Sequence, residues 1–232
     1  MKAIKLFSIL FFLAACLQAN AADRQTRKIT GFHGVSVTSG IDLYLTQKNA
    51  EEVTVEAEAE DIDKIITEVE GGVLHIYIKE KSWLNLNWNS KPRKVHVSFK
   101  ALDKLDASAG SDVVTVSPIK VDNMRVDASS GSDIRLEVNA SEMRVASSSG
   151  SDITLKGSTD KLEVDASSGS DINAGELTSK DCDASVSSGS DIKVNATETL
   201  KANASSGGDI SYSGNPKSKD INESSGGDVH GR

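Results

Sequence analysis

From residue 104 onward the apolar positions of this 232-residue chain fall at odd offsets around a recurring glycine. With each glycine as zero, offset −5 carries Leu105, Val126, Val145, Val164, Ala184, Ala202 and Ile221. Offset +3 carries Val113, Ile134, Ile153, Ile172, Ile192, Ile210 and Val229. Offset −7 adds Met124, Met143, Leu162, Cys182 and Leu200 in the middle copies. The residues between are mostly polar, which is the period-two pattern of strands with one buried face. The glycines are Gly110, Gly131, Gly150, Gly169, Gly189, Gly207 and Gly226, at spacings of 21, 19, 19, 20, 18 and 19 residues. Self-similarity at such a period denotes stacked units rather than a closed globule. Each unit reads as strand, Ser-Gly corner, strand and a variable turn such as Asn139-Ala140-Ser141 or Gly157-Ser158-Thr159. Glycine suits a corner that needs positive φ or close backbone approach. The predicted fold is all-β, a single-stranded β-helix or solenoid with coils of about 19–20 residues, rising about 4.8 Å per coil.

The N-terminal third alternates without the serine-rich repeat. Val35 and Val37, then Ile41, Leu43 and Leu45, then Val53 and Val55 read as half-buried strands. Leu74, Ile76 and Ile78 share a face after the Gly71-Gly72 turn, and Val95, Val97 and Phe99 form another strand. Asp61 to Ile66 has apolar spacing that could form one or two helical turns capped by Asp61, so these irregular coils are expected to hold at most one short helix. Lys79 to Lys94 is a polar insertion that holds both tryptophans, Trp83 and Trp88.

Composition fits a thin-cored solenoid, with 38% hydrophobic and only 4% aromatic residues. Residues 1–21 read as an export signal, with Lys2 and Lys5 ahead of an apolar run too short to span a bilayer as a mature helix. Two processing sites compete. Leu13-Ala14-Ala15-Cys16 has lipobox form and would leave Cys16 lipidated, whereas Ala19-Asn20-Ala21 is a small-x-small site that starts the mature chain at Ala22. The expected organisation is one head domain over 22–232, with non-repeating coils over 29–103 and seven repeats over 104–232. Net charge is −8, or −10 without residues 1–21, since 24 bases then face 34 acids. That balance argues against nucleic acid and anionic lipid, leaving a lipid anchor as the expected membrane contact.

The corner carries the candidate chemistry. Two residues after each glycine stands an aspartate: Asp112, Asp133, Asp152, Asp171, Asp191, Asp209 and Asp228. Stacking places these carboxylates in a column where neighbours repel by about 0.9 kcal/mol in water. In the local reading, each aspartate accepts corner N–H groups with help from adjacent serines, and Arg135, Lys193, Arg125 and Arg144 offer partial neutralisation. In the alternative reading the column holds Ca²⁺, which favours clustered oxygen ligands. No other cofactor is implied.

Trp83 and Trp88 offer a surface for a sugar ring or a partner protein, or else pack on the solenoid's end or flank. His75 and His96, 21 residues apart, could stack on adjacent coils but make a poor metal pair. Cys182 sits in a core column and reads as a small hydrophobe. No nucleophile–base or paired-carboxylate constellation stands out, so the chain is read as a non-enzyme. The last coil has no evident cap, leaving an edge through which the protein could homo-oligomerise.

The sequence resembles the head GIN domain family of auto-transporter adhesins, exported proteins of Bacteroidetes-type bacteria. The likeness covers Phe32 to the C-terminus and rests on Gly31-Phe32-His33-Gly34-Val35, on Ser39 through Gln47, on Thr67 through Ile76, and on the Gly-Ser-Asp-Ile copies. The naming triplet Gly-Ile-Asn stands here as Gly40-Ile41-Asp42. The resemblance implies a β-helix-like fold at the cell surface or in the periplasm. A self-exporting adhesin would also need a C-terminal membrane barrel, and the six residues after Gly226 are too few for one. The expected function is a cell-envelope adhesin or interaction module that takes a protein or glycan. The alternatives are a polysaccharide-binding or polysaccharide-processing β-helix and a Ca-stabilised spacer.

Overall fold

The computed structural model describes residues 22–79 and 93–232. The N-terminal part contains β1 (Asp23–Arg27), β2 (Gly34–Val37), β3 (Asp42–Gln47), β4 (Glu52–Ala57), β5 (Ile65–Glu70), β6 (Val73–Ile78) and β7 (Lys94–Phe99). The repeat contains β8 (Lys104–Ala107), β9 (Asp112–Thr115), β10 (Ile119–Ala128), β11 (Asp133–Ser148), β12 (Asp152–Ser167), β13 (Asp171–Val186), β14 (Asp191–Ala204), β15 (Asp209–Gly214), β16 (Ser218–Glu223) and β17 (Asp228–Gly231). Pairing from β8 onward is parallel throughout, with each coil stacked on the next. The coil is flattened, so two sheets face each other across one core. One sheet orders as β5-β6-β2-β8-β10 and the other as β1-β4-β7-β3-β9, and both continue through the long strands of the repeat.

The odd-offset columns are the core. Val126, Val145, Val164, Ala184 and Ala202 on one sheet face Ile134, Ile153, Ile172, Ile192 and Ile210 on the other, all buried. The variable turn differs from the sequence-based picture. Asp133–Ser148 and Asp152–Ser167 are each one strand, and their pairing keeps one register through the bend, skipping only Ser141 and Asp160, because neighbouring coils bend together.

Residues 61–66 form no helix. Ile62 N–H reaches Glu58 O and Lys64 N–H reaches Asp61 O, which close two successive turns. Ile65 then enters β5 opposite Ile78 of β6. The apolar spacing that suggested helical turns instead buries Ile62 and Ile65 under the hairpin.

Both ends of the stack turn polar groups toward the core. At the N-terminal end β1 lies antiparallel on β4, with Gln25 and Arg27 opposite the buried Val55 and Val53. The Arg27 guanidinium donates to Ile62 O and Ile65 O and so ties the end of one sheet to the edge of the other. At the C-terminal end, Lys219 and Glu223 continue the core columns of Leu200 and Ala204. Glu223 accepts Val229 N–H at 2.8 Å, and the Lys219 ammonium lies 5.4 Å from the Tyr212 ring centre. Inward-turned charge is one device by which edge strands resist pairing, and atypical polar terminal coils are what a solenoid needs at its ends.

Candidate functional site

The Ser-Gly corner is a pair of left-handed residues. The seven repeat glycines have φ of 66° to 77°, and the residue before each, Ala109 or a serine, has φ of 51° to 59°. Cβ atoms built on these glycines would meet nothing within 4 Å, so positive φ and not lack of space selects glycine here. From Gly110 to Gly189, each glycine N–H donates to the carbonyl of the left-handed serine one coil on.

An eighth corner lies in the N-terminal part. Ser39 and Gly40 have φ of 74° and 65°, Gly40 N–H donates to Ala109 O, and Asp42 pairs in register with Asp112. The triplet Gly40-Ile41-Asp42 is thus the first copy of the repeat corner, with Ile41 where later copies carry serine. The sequence held the signal, since Ser39-Gly40-x-Asp42-Leu43 has the glycine, the +2 aspartate and the +3 apolar residue. Four strands inserted between this copy and the next hide it from a search at constant period.

The buried serine at +1 does the local work that the sequence assigned to aspartate. Ser132 Oγ accepts Ser129 N–H at 3.1 Å and donates to Ala107 O of the preceding coil at 3.0 Å. Ser170 Oγ accepts Ser167 N–H at 3.2 Å and donates to Ser147 O at 2.8 Å. Ser151 Oγ and Ser190 Oγ take the N–H of Ser132 and Ser170 one coil before. All of these serines except Ser129 and Ser167 are buried. In the last two corners glycine replaces this serine, and a Cβ on Gly208 would come within 3.0 Å of the Val186 side chain, which fills that space.

The aspartates form one column in register: Asp42, Asp112, Asp133, Asp152, Asp171, Asp191, Asp209 and Asp228. Their bonds to backbone run between coils, as where Asp171 Oδ1 accepts Asp191 N–H at 3.3 Å. Arg135 pairs with Asp133 at 3.1 Å and His230 with Asp228 at 3.1 Å. Arg125 and Arg144, expected to help, pair on the other sheet with Asp127 and with Glu142 and Glu163. Burial, followed by the charges of Asp133 and Asp42, pushes the Asp112 carboxyl above its ordinary range. Burial, followed by Asp171 and Asp133, does the same to Asp152. Among the described residues no three His, Cys, Asp or Glu side chains converge where a metal ion could be held. Successive carboxylates instead stand side by side along a ridge.

Past Asp42 the column changes character. Lys94, Glu56 and Arg24 follow in register, alternating in sign, with Arg24 and Glu56 2.6 Å apart. Burial pushes the Glu56 carboxyl up, but the Arg24 guanidinium with Lys94 and His96 outweighs it and holds the group below its ordinary value. His96 stacks on Tyr44 with ring centres 4.8 Å apart, while His75 lies on the other sheet opposite Ser36, so the two histidines do not meet. Cys182 is buried in its core column, and that burial pushes its thiol up to about 12. Trp83, Trp88 and Cys16 lie outside the described residues. The chain enters and leaves 80–92 on the corner edge, where Asp42 N–H donates to Arg93 O.

Sequence reasoning did not find a depression of about 660 Å³ on the edge opposite the corner, where Gln47, Leu102, Asp103, Val121, Asp122 and Asn123 meet. Its lining comes from five stretches far apart along the chain, at His33, Gln47, 100–103, 120–123 and 139–141, so no local pattern marks it.

These features define a parallel β-solenoid whose coils are locked at a polar corner and whose outer faces are lined by ordered columns of side chains. The chain belongs to the family described as "Putative auto-transporter adhesin, head GIN domain", whose model matches residues 31–216. The fold is shared with a putative adhesin from Bacteroides fragilis, at a TM-score of 0.81 and 21% identity over 90% of this chain and 96% of that one. It is shared with a putative lipid binding protein from Parabacteroides distasonis, at 0.71 and 21% over 91% and 98%. A putative adhesin from Parabacteroides merdae follows at 0.67 and 16% over 92% and 97%. No curated protein matches the chain.

Proposed function

We propose that this protein is a non-enzymatic, exported β-solenoid of the cell envelope that works as an adhesion or interaction module for a protein or glycan. The observation that carries this reading is the pairing of outward charge between coils. Lys180 meets Asp160 at 2.6 Å, Lys201 meets Asp183 at 2.8 Å and Lys156 meets Glu176 at 2.9 Å, each across one coil step. A rod whose faces satisfy themselves in this way is a scaffold, and specific binding falls to its irregular N-terminal coils. The adhesin names of the family and of the structural neighbours support the same direction. Export rests on residues 1–21, and membrane attachment on lipidation of Cys16.

A lipid role, suggested by the name of one neighbour, fits this chain less well. Its interior columns are filled by side chains, and three depressions on its described surface are rimmed mainly by charged and polar groups. The purified protein on a glycan array and in pull-downs from envelope extracts tests the reading, with a Trp83→Ala/Trp88→Ala variant alongside. Saturable binding to a glycan or an envelope protein supports it. Binding to neither, or turnover of an arrayed polysaccharide, overturns it.

A further inference from the structure

The edge opposite the Ser-Gly corner is interrupted where the first coil meets the N-terminal hairpins. After β3 the chain leaves the coil at Gln47 for β4, and residues 100–103 cross back from β7 to β8. Between this crossing segment and the start of β10 lies the depression of about 660 Å³, within the size range of small-ligand sites. We propose that this notch binds a neutral sugar unit of a glycan chain, which deepens the adhesion reading by naming its ligand class and place.

Three observations carry the assignment. The first is unspent hydrogen-bonding capacity. Along the same edge in later coils the outward side chains pair with one another, Asp160 with Lys180 and Glu198 with Lys217. In the notch, Asp122 and Asn123 are exposed and make no side-chain hydrogen bond among the described residues, and Asp103 bonds only His33, at 2.8 Å. Two carboxylates and an amide converging on one hollow suit adjacent hydroxyls, because a carboxylate accepts from both and an amide can donate and accept.

The second observation is the floor. Leu102, Val121 and Ala140 supply a small apolar surface, and no Phe, Tyr, Trp or Arg is among the lining residues. Protein interfaces draw most of their energy from aromatic and Arg anchors, which this lining does not offer, whereas the C–H face of one sugar ring needs only a modest apolar patch. Lys100 and Lys120 at the rim balance Asp103 and Asp122, so the hollow has no net sign to select an ionic ligand.

The third is rigidity. The Gln47 amide donates to Lys100 O at 3.2 Å and to Lys120 O at 2.8 Å, and it accepts Lys120 N–H at 2.8 Å. One side chain therefore fixes the crossing segment against β10, and β10 is itself in register with β11. A preformed hollow lowers the ordering cost of binding.

The test uses the full mature protein on an array of neutral gluco-, manno- and galacto-oligosaccharides beside sialylated and sulfated ones. Calorimetry follows with the neutral oligosaccharide of highest signal. The expected result is binding to the neutral set, weakened at least about tenfold, or about 1.4 kcal/mol, by Asp122→Ala/Asn123→Ala. Asp160→Ala, on the same edge outside the notch, should leave it unchanged. Both variants alter exposed positions, and an unchanged melting midpoint separates lost binding from lost folding. Glycan binding that survives the double variant overturns the notch and leaves the adhesion reading standing. The same holds if only sialylated or sulfated glycans bind, or if only envelope proteins do.

Discussion

The two edges of this solenoid handle charge in opposite ways. On the corner edge eight aspartates stack without alternation, and among the described residues side-chain ion pairs reach only Asp133 and Asp228 of them. On the opposite edge Asp160, Lys180, Glu198 and Lys217 alternate in sign, with pairs at 2.6 Å and 2.5 Å. Both edges have the same coil spacing, so the geometry permits alternation on either. The corner keeps its aspartates under mutual repulsion, while its stability comes from beneath, from the buried +1 serines and the ladder of glycine N–H bonds. The opposite edge has no common corner motif, and its sequence is free to pair charge across coils. Identical columns therefore mark the corner that holds the coils, and varied columns mark the surface that can acquire partners.

Glycine substitution separates the two edges most sharply. Gly157, on the opposite edge, has φ of 117°, and a Cβ there would stand 2.1 Å from Val138 O. Gly150, on the corner, has φ of 70° and open space around its Cβ. Gly157→Ala should cost about 3 kcal/mol or more, since backbone must move, and Gly150→Ala about 1–2 kcal/mol for the left-handed conformation alone. Urea unfolding midpoints check this order, and equal losses would mean that the corner is sterically tight as well.

A smaller effect tests what lies beneath the corner. Ser170→Ala removes the acceptor for Ser167 N–H and the donor to Ser147 O in a site closed to water. A loss of about 1–3 kcal/mol is expected by the same unfolding measurement. A neutral result would shift the credit for the corner back to its aspartates.

The smallest effect is the pH response. Asp112 and Asp152 have folded-state pKa values raised above the ordinary carboxylate value. Their contribution to stability is full when they are protonated, below the unfolded-state pKa, and is lost as pH rises through the raised folded values. Relative to an Asp112→Asn/Asp152→Asn variant, the natural protein should gain melting temperature as pH falls from neutral into the carboxylate range. An opposite slope would show that these carboxylates are stabilised by being charged.

Much of the fold was legible because stacking makes the sequence periodic. The odd-offset apolar columns gave the core, and the glycine spacing gave the coil. Three features escaped for physical reasons. Ser39-Gly40 is a corner of the same stack, but it sits 70 residues before Gly110 because the chain makes an excursion through β4 to β7 between them. The division of labour between Ser132 and Asp133 is invisible in sequence, since both are small polar residues at a turn and only burial distinguishes them. Inward charge at Lys219 and Glu223 was readable from the offsets −7 and −3 of Gly226, but it becomes a cap only once those offsets are known to face the core.

The most direct test of the claim that the aspartate column is tolerated and not used is one set of thermal melts at low salt, with calcium or with chelator. It compares the natural protein, Asp133→Asn/Asp152→Asn/Asp171→Asn and Lys180→Gln/Lys217→Gln. The account predicts a higher midpoint for the corner variant, a slightly lower one for the opposite-edge variant, and no calcium-specific shift in any of them. A lower midpoint for the corner variant, or a calcium stabilisation that this variant loses, would contradict it and make the column a cation ladder.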